Sequence, residues 1–290
     1  MIAIDLVCPI YKDVGEIKRF FTSLKTQKNV EIKRVITPFT LSGNESIDDE
    51  IRKILTEEGA IFFELTVKEF SHSLTREKAI RDFCKEKAVV LTSQDVIFKD
   101  ENSIFNLVNC LSDEVVYCYG RQTCQKKSIE KYIREKNYPA KSFVVDKSMV
   151  DKMQLMAFFS SDAFSCLDRD VFINLGGYNG YDVMMNEDQL YSKFVLDAGY
   201  KKAYCAEAVV EHSHNYTIKQ LYNRYYETGK FYSKVKIFNE YKSTQSGVKL
   251  ALYVLKRALL HFNIPVLLRW LPDMTARFLG MKKGKREKID

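Results

Sequence analysis

The chain opens on an apolar run, residues 2–8, interrupted only by Asp5 and closed by Pro9. That pattern predicts a buried strand ending in a loop. Asp13 can cap a helix whose apolar positions Ile17, Phe20, Phe21 and Leu24 follow a helical period. The alternation then repeats. Residues 30–36 read as a second strand, 47–55 as a helix and 60–67 as a third strand. Residues 74–84 read as a helix and 88–92 as a fourth strand. Strands alternating with helices predict an α/β fold, a mostly parallel sheet with helices on both faces. Such sheets bind ligands beyond the carboxyl ends of their strands. Here those ends are Pro9-Ile10-Tyr11, Thr37-Pro38 and Ser93-Gln94-Asp95.

Beyond Leu111 the pattern is less regular. Residues 115–119 and 164–167 read as strands, and 126–153 as a polar, mobile excursion. Asn186 can cap a helix that stops at Gly199. Residues 202–210 read as a terminal strand pair, and Thr217 can cap a Tyr-rich helix reaching about Phe238. From Gly247 the character changes. Leu252, Leu255, Leu259 and Phe262 share one helical face, and a second apolar stretch covers 264–271. Charges at Lys256, Arg257 and Arg269, with Pro265 and Pro272, interrupt any window of about 20 residues. Residues 247–290 therefore predict interfacial amphipathic helices rather than a span. The competing expectation is a helix pair packed on the domain with a solvated tail.

Charge sharpens that choice. The net charge of the 290 residues is +7, and residues 249–290 hold ten Lys/Arg against three Asp/Glu. The rest of the chain is neutral. A neutral body with a basic, apolar end points to an anionic membrane surface and not to nucleic acid. Lys282, Lys283, Lys285, Arg286 and Lys288 form the terminal cluster. The seven cysteines include no C-x-x-C pair and lie mostly in apolar runs. They predict reduced core thiols in a cytoplasmic protein. No basic region precedes the first apolar run, so no secretory signal is expected.

Several residues can carry chemistry. Asp95, at a strand end, faces the ligand crevice, where a carboxylate can hold a divalent ion on a diphosphate; a loop or capping role is the alternative. Glu187 and Asp188 open a helix whose dipole favours ionised carboxylates, so Asp188 can accept a proton, and one of the two can be structural. His212 and His214 alternate along an extended segment, so both can point one way, as ligands or as packed residues. Arg76, in the first turn of a helix beside Ser71-His72-Ser73-Leu74-Thr75, suits phosphate or is an exposed helical arginine. Gly176-Gly177-Tyr178 is a tight turn, or a place where backbone approaches a sugar.

Taken in order and spacing, these motifs resemble the family 2 inverting glycosyltransferases of the GT-A fold. The likeness extends to the Tyr-Asn-Arg-Tyr-Tyr stretch (222–226) and to residues 277–283. The similarity is greatest to bacterial rhamnosyltransferases of cell-wall rhamnan and capsule synthesis. The resemblance implies a Rossmann-like nucleotide-sugar half (1–112) and an acceptor half (113–240) within a domain of residues 1–240. It implies a dTDP-β-L-rhamnose donor and a polyprenyl-diphosphate-linked saccharide acceptor. The enzyme would act from the cytoplasm on the inner face of the cell membrane. Asp188 becomes the catalytic base. Asp95, with His212 or His214, becomes the site of Mn2+ or Mg2+. Pro9, Tyr11, Thr37, Arg76, Gln94 and Asp95 become donor-binding, and Gly177, Tyr178 and Glu187 acceptor-binding. Ser93 stands where the family's D-x-D motif begins with Asp, and Thr37-Pro38 where an Asp commonly reads the base. These departures keep two further readings open: a UDP-hexose donor (galactose or N-acetylglucosamine), or a non-catalytic subunit of a membrane-surface assembly.

Overall fold

The computed structural model describes residues 1–125, 127–241 and 244–287. The first half alternates as its periodicity requires. β1 (Ile2–Val7) leads through β2 (Ile10–Tyr11) to α1 (Val14–Leu24), β3 (Val30–Thr40), α2 (Glu45–Glu57), β4 (Ile61–Leu65), α3 (His72–Phe83) and β5 (Ala88–Thr92). β6 (Ile97–Phe98), α4 (Ser103–Val108) and β7 (Val115–Thr123) follow. The second half contains α5 (Ile129–Asn137), β8 (Phe143–Val145), α6 (Val150–Met153), β9 (Phe164–Asp168), α7 (Arg169–Asn174), α8 (Glu187–Asp197) and β10 (Lys201–Glu211). Three long helices end the chain: α9 (Ile218–Lys234), α10 (Thr244–Leu260) and α11 (Ile264–Gly284).

One sheet runs through both halves in the order β2-β3-β1-β5-β9-β7-β10-β6, with β4 on β3 and β8 on β10. β1 pairs parallel with β3 and β5, and β7 with β10. β9 is antiparallel to both its neighbours, β5 and β7. Its reversed direction puts its start, at Phe164, opposite Thr92, where β5 ends. The segment before β9 thus reaches the same rim of the sheet as Ser93 and Asp95. Helices cover both faces. Ile17, Phe20, Ile51 and Leu107 pack on one side, and Ile80, Phe172, Leu190 and Phe231 on the other.

Asp13 caps α1 as its position predicts, its Oδ1 accepting from the Glu16 N–H at 2.8 Å. Asp5, buried in β1, is satisfied by Arg34 at 2.7 Å and by the Lys85 and Glu86 N–H groups.

Five expectations change. Thr37 does not end its strand: β2 pairs with Phe39 and Thr40, which prolongs β3 and leaves Thr37 fully buried. Residues 127–153 are not an excursion (Lys126 lies outside the described residues). α5 carries an apolar face, Ile129, Tyr132 and Ile133, that packs on Val254, Ala258 and Val266 of α10 and α11, and β8 pairs with β10. β10 is one strand, not a pair; a bulge between Cys205 and Val209 interrupts its register with β7. Asn186 begins α8 in the left-handed conformation, φ 65°, and makes no side-chain cap. Asn tolerates that conformation better than most residues. Cys110 and Cys205 form a disulfide, against the expectation of seven free thiols. Packing of α4 on β10 brings the two together. Cys8, Cys84, Cys118 and Cys166 are free and buried.

The C-terminal helices pack on the domain. α11 packs along α9, where Gly229, Gly280 and Gly284 leave no space for a Cβ: one built on Gly280 would strike the Tyr222 carbonyl. Yet Leu252, Leu259, Leu268 and Leu271 face solvent. Among the described residues no helix is long and apolar enough to cross a membrane. Lys288 lies outside the described residues.

Candidate active site

Two groups of side chains meet at the rim where β5, β7 and β10 end. The first contains Asp95, His212 and His214. Asp95 follows β5; the histidines follow β10, and their alternation turns both inward. Asp95 Oδ2 lies 3.2 Å from His212 Nε2 and 3.4 Å from His214 Nδ1. One ligand atom from each of the three lies within 4.8 Å of the others. Two details orient them. The Ser93 hydroxyl donates to Asp95 Oδ1 at 2.8 Å, so this serine aims the carboxylate. His212 Nδ1 lies 2.8 Å from Gln122 Oε1, which also accepts from Arg134. An amide oxygen accepts an N–H there, so Nε2 is the nitrogen turned toward Asp95, a donor to it when the ring is protonated and a ligand atom when it is neutral. Fixing the far nitrogen of a histidine is the usual support for a metal ligand. Although burial opposes its charge, the two histidines and Ser93 hold the Asp95 carboxyl well below the usual carboxylate range. Burial, then His212, pushes His214 down to about 4, so its imidazole is neutral at pH 7. The donor set fits a divalent ion, and both histidines, not one, are in place.

The second group surrounds Asp188, in the first turn of α8. Asp188 is half-buried, and its Oδ1 accepts from the Gln189 N–H at 2.6 Å. Burial, then the charges of Glu187 and Asp162, push its carboxyl well above the usual range. The helix dipole alone would have lowered it; burial and like charge win. Glu187 is itself buried and accepts from Arg76 Nη1 at 2.8 Å. Arg76 also donates to His72 Nδ1 at 2.9 Å. Burial, with the Arg76 and Arg224 cations, pushes His72 down to about 3.

This geometry relocates several expected residues. Arg76 is only 3% exposed and committed to Glu187, so it is not the open phosphate-binding arginine that its helix position predicts. Glu187 is its counter-ion. Gly177 has φ 62° and sits where a Cβ would lie 2.5 Å from the Glu77 carboxyl carbon, so its backbone approaches Glu77. Tyr178 is fully buried; its N–H donates to Glu77 at 2.8 Å and its hydroxyl to Asp162 at 3.2 Å. Thr37 lies inside the sheet. Gln94 is a clamp: it accepts from the Tyr11 N–H at 2.6 Å and donates to the Tyr11 carbonyl at 2.9 Å. It thereby fixes the loop holding Pro9 and Tyr11, and Tyr11 is left exposed on it.

Two functional candidates escape sequence reasoning. Asp162 is buried and accepts from Tyr117 at 2.6 Å and from Ser165 at 2.6 Å. It sits in an unremarkable Ser-Ser-Asp stretch, and only the reversal of β9 brings it to the rim. Arg224, exposed on α9, donates to the Tyr216 hydroxyl at 3.3 Å, and its charge pushes down both His72 and His214. The Tyr-Asn-Arg-Tyr-Tyr stretch was the available signal.

An Asp-His-His set able to hold a divalent cation on one side and a raised carboxylate on the other suit transfer from an anionic leaving group. Comparison with known proteins agrees. The O-antigen chain rhamnosyltransferase RfbN of Salmonella typhimurium is 33% identical over 230 residues, covering 77% of this chain and 72% of that protein. The chain belongs to this rhamnosyltransferase family. WbaN of Salmonella anatum, also an O-antigen chain rhamnosyltransferase, is 28% identical over 293 residues, 98% of this chain and 90% of that protein. The fold matches a mannosyltransferase from Pyrobaculum calidifontis, solved with GDP-Man and Mn2+, at a TM-score of 0.63 and 12% identity, over 99% of this chain and 88% of that one. GalNAc-T7, solved with UDP, GalNAc and Mn2+, matches at 0.55 and 10%, over 80% and 50%. These are GT-A glycosyltransferases, and the chain shares their fold. No protein-family model matches the chain. The chain is a glycosyltransferase of polysaccharide biosynthesis, with a possible metal site formed by Asp95, His212 and His214.

Proposed function

We propose that the protein is an inverting rhamnosyltransferase that moves L-rhamnose from dTDP-β-L-rhamnose to a lipid-linked saccharide. Supporting this reading is the pairing of a raised carboxylate, Asp188, with the Asp95–His212–His214 donor set at one rim, in a chain related to rhamnosyltransferases. Asp188 takes the proton of the acceptor hydroxyl as that oxygen bonds to the anomeric carbon. The bond from that carbon to the diphosphate oxygen breaks in the same step, and the nucleoside diphosphate leaves on the opposite face. A positioned base contributes roughly 10²–10⁴-fold. The raised pKa makes Asp188 a stronger base than its helix position alone would allow.

Asp95, His212 and His214 would hold a divalent ion, which supplies charge for the leaving diphosphate. Two imidazoles among three donors favour Mn2+ over Mg2+, which prefers oxygen. With Arg76 neutralised by Glu187, Arg224 is a cation that can serve the diphosphate. Pro9 and Tyr11, held by Gln94, border the nucleotide. The enzyme works peripherally at the inner face of the cell membrane, where a polyprenyl-diphosphate-linked acceptor would present its sugar.

The test is a donor screen with purified protein, Mn2+ or Mg2+ and a lipid-linked acceptor mimic. Release of dTDP from dTDP-rhamnose is expected. Turnover of UDP-galactose or UDP-N-acetylglucosamine in its place would overturn the donor. No turnover of any nucleotide sugar, with Asp188→Asn unchanged in cells, would favour a non-catalytic assembly subunit.

A further inference from the structure

The two C-terminal helices wear their apolar rows on the outside. On α10, Leu252 and Leu259 face solvent; on α11, Leu268, Leu271 and Phe278 do, and Phe262 between the helices is 85% exposed. These positions share one face of each helix at spacings of three or seven residues. The opposite face of α11 holds Asp273, Arg277 and Gly280, buried against the body. Glycine contacts with α9 fix that orientation, so the helix cannot roll its leucines inward.

Charge selects the occupant. α10 contains no acidic residue, and the single acid of α11, Asp273, is buried on Arg277. Lys256, Lys282, Lys283 and Arg286 stand exposed beside the apolar rows. A second copy docking through the same surface would bring these cations against their own images. An anionic lipid surface instead takes the leucines into its acyl boundary and the lysines among its head groups.

The buried face of α11 has its own role. Val266, Arg269 and Asp273 wall a cavity of about 180 Å³ whose other side is lined by His214, Tyr216 and Glu130. One helix thus has its apolar row on one side and a cavity beside the candidate metal site on the other. We infer that the α10–α11 hairpin lies flat on an anionic membrane and holds this cavity about one helix diameter, roughly 10–12 Å, above it, where the head group of a membrane-anchored acceptor enters. The docking half stands alone; the acceptor half rests on the proposed function.

The experiment is co-sedimentation of the full chain with vesicles of phosphatidylcholine, with and without phosphatidylglycerol, at low and high salt. Binding is expected to the anionic vesicles and to weaken with salt. Lys282→Gln with Lys283→Gln should weaken it roughly 25-fold, at about fivefold per lysine. Leu268→Glu with Leu271→Glu should weaken it at least about tenfold while circular dichroism is unchanged. Wild-type protein left in the supernatant, or variants that bind as wild type, would overturn the inference. So would a dimer in sedimentation velocity that the Leu268→Glu, Leu271→Glu variant dissolves. Transfer to a water-soluble acceptor separates the two proposals. The leucine variant should keep that activity and lose transfer to vesicle-borne acceptor. Vesicle binding without any sugar transfer sinks the proposed function and leaves docking standing.

Discussion

Replacing Arg76 by Met separates a buried structural ion pair from an open phosphate-binding arginine. Arg76 and Glu187 are 2.8 Å apart, with side chains only 4% and 9% exposed. Removing the guanidinium leaves Glu187 buried beside Asp162 and Asp188, two further carboxylates, and strips His72 Nδ1 of its donor. Leaving one partner of a buried pair uncompensated costs about 3–5 kcal/mol. Two unit charges 4 Å apart at an effective dielectric of 20 give about 4 kcal/mol, which agrees. Arg76→Met should therefore lose about 3–5 kcal/mol in urea unfolding followed by circular dichroism, with the slope unchanged. Glu187→Gln in the same chain should restore about 2–3 kcal/mol of it, because the stranded charge is gone. Nucleoside diphosphate affinity, measured well below the unfolding midpoint, should be nearly unchanged. A loss below about 1 kcal/mol together with collapsed nucleotide affinity would refute the reasoning and return Arg76 to the diphosphate.

Asp188→Asn should abolish sugar transfer, spare nucleotide binding and raise the melting temperature. A carboxyl whose folded pKa is raised stabilises the protein below its unfolded pKa and loses that contribution as pH rises through the folded value, so at neutral pH its charge is a burden; a lower melting temperature would contradict this. Asp162→Asn removes one of the charges that raise Asp188, so the acidic limb of the pH–rate profile should move to lower pH; an unmoved limb would show that the two carboxylates do not communicate. Asp95→Ala and His212→Ala should each abolish Mn2+ binding in calorimetry, and Gln122→Met should weaken it about 10–100-fold by freeing His212 to turn; equal Mn2+ affinity in Gln122→Met would break the argument for the tautomer. Gly280→Val, which drives a side chain into the Tyr222 carbonyl, should cost about 1–3 kcal/mol in urea unfolding, and an unchanged midpoint would show that the α9–α11 contact can yield.

The first half of the fold was legible because its signals are local. Asp13 caps the helix it precedes, and Ala88–Thr92 is a strand with the bounds its apolar run predicts. The metal trio was half legible: alternation turned His212 and His214 the same way, but only the sheet order brought them to Asp95. What failed depended on distance in sequence. Arg76 looks exposed until α8 delivers Glu187 from 111 residues away. Asp162 carries no local signature, because its position follows from the direction of β9. Thr37 was misplaced because Pro38 reads as a stop, whereas pairing with β2 carries the strand on to Thr40. α5 was missed because its narrow apolar face becomes meaningful only when α10 and α11 arrive to cover it.

The reversed strand β9 has a consequence for how the protein is made. Ala88–Thr92 is buried throughout, and one of its edges is closed by residues 164–168. During synthesis that edge waits, unpaired and apolar, until more than seventy further residues have left the ribosome. At about 5–20 residues per second this is an interval of several seconds. Its neighbour β7 waits too, since β9 is the strand that joins it to β5. The sheet therefore closes late and through a long-range contact, which slows folding and leaves a sticky edge open in the meantime. Substitutions that weaken β9 should lower the yield of soluble protein more than they lower the stability of the molecules that finish folding.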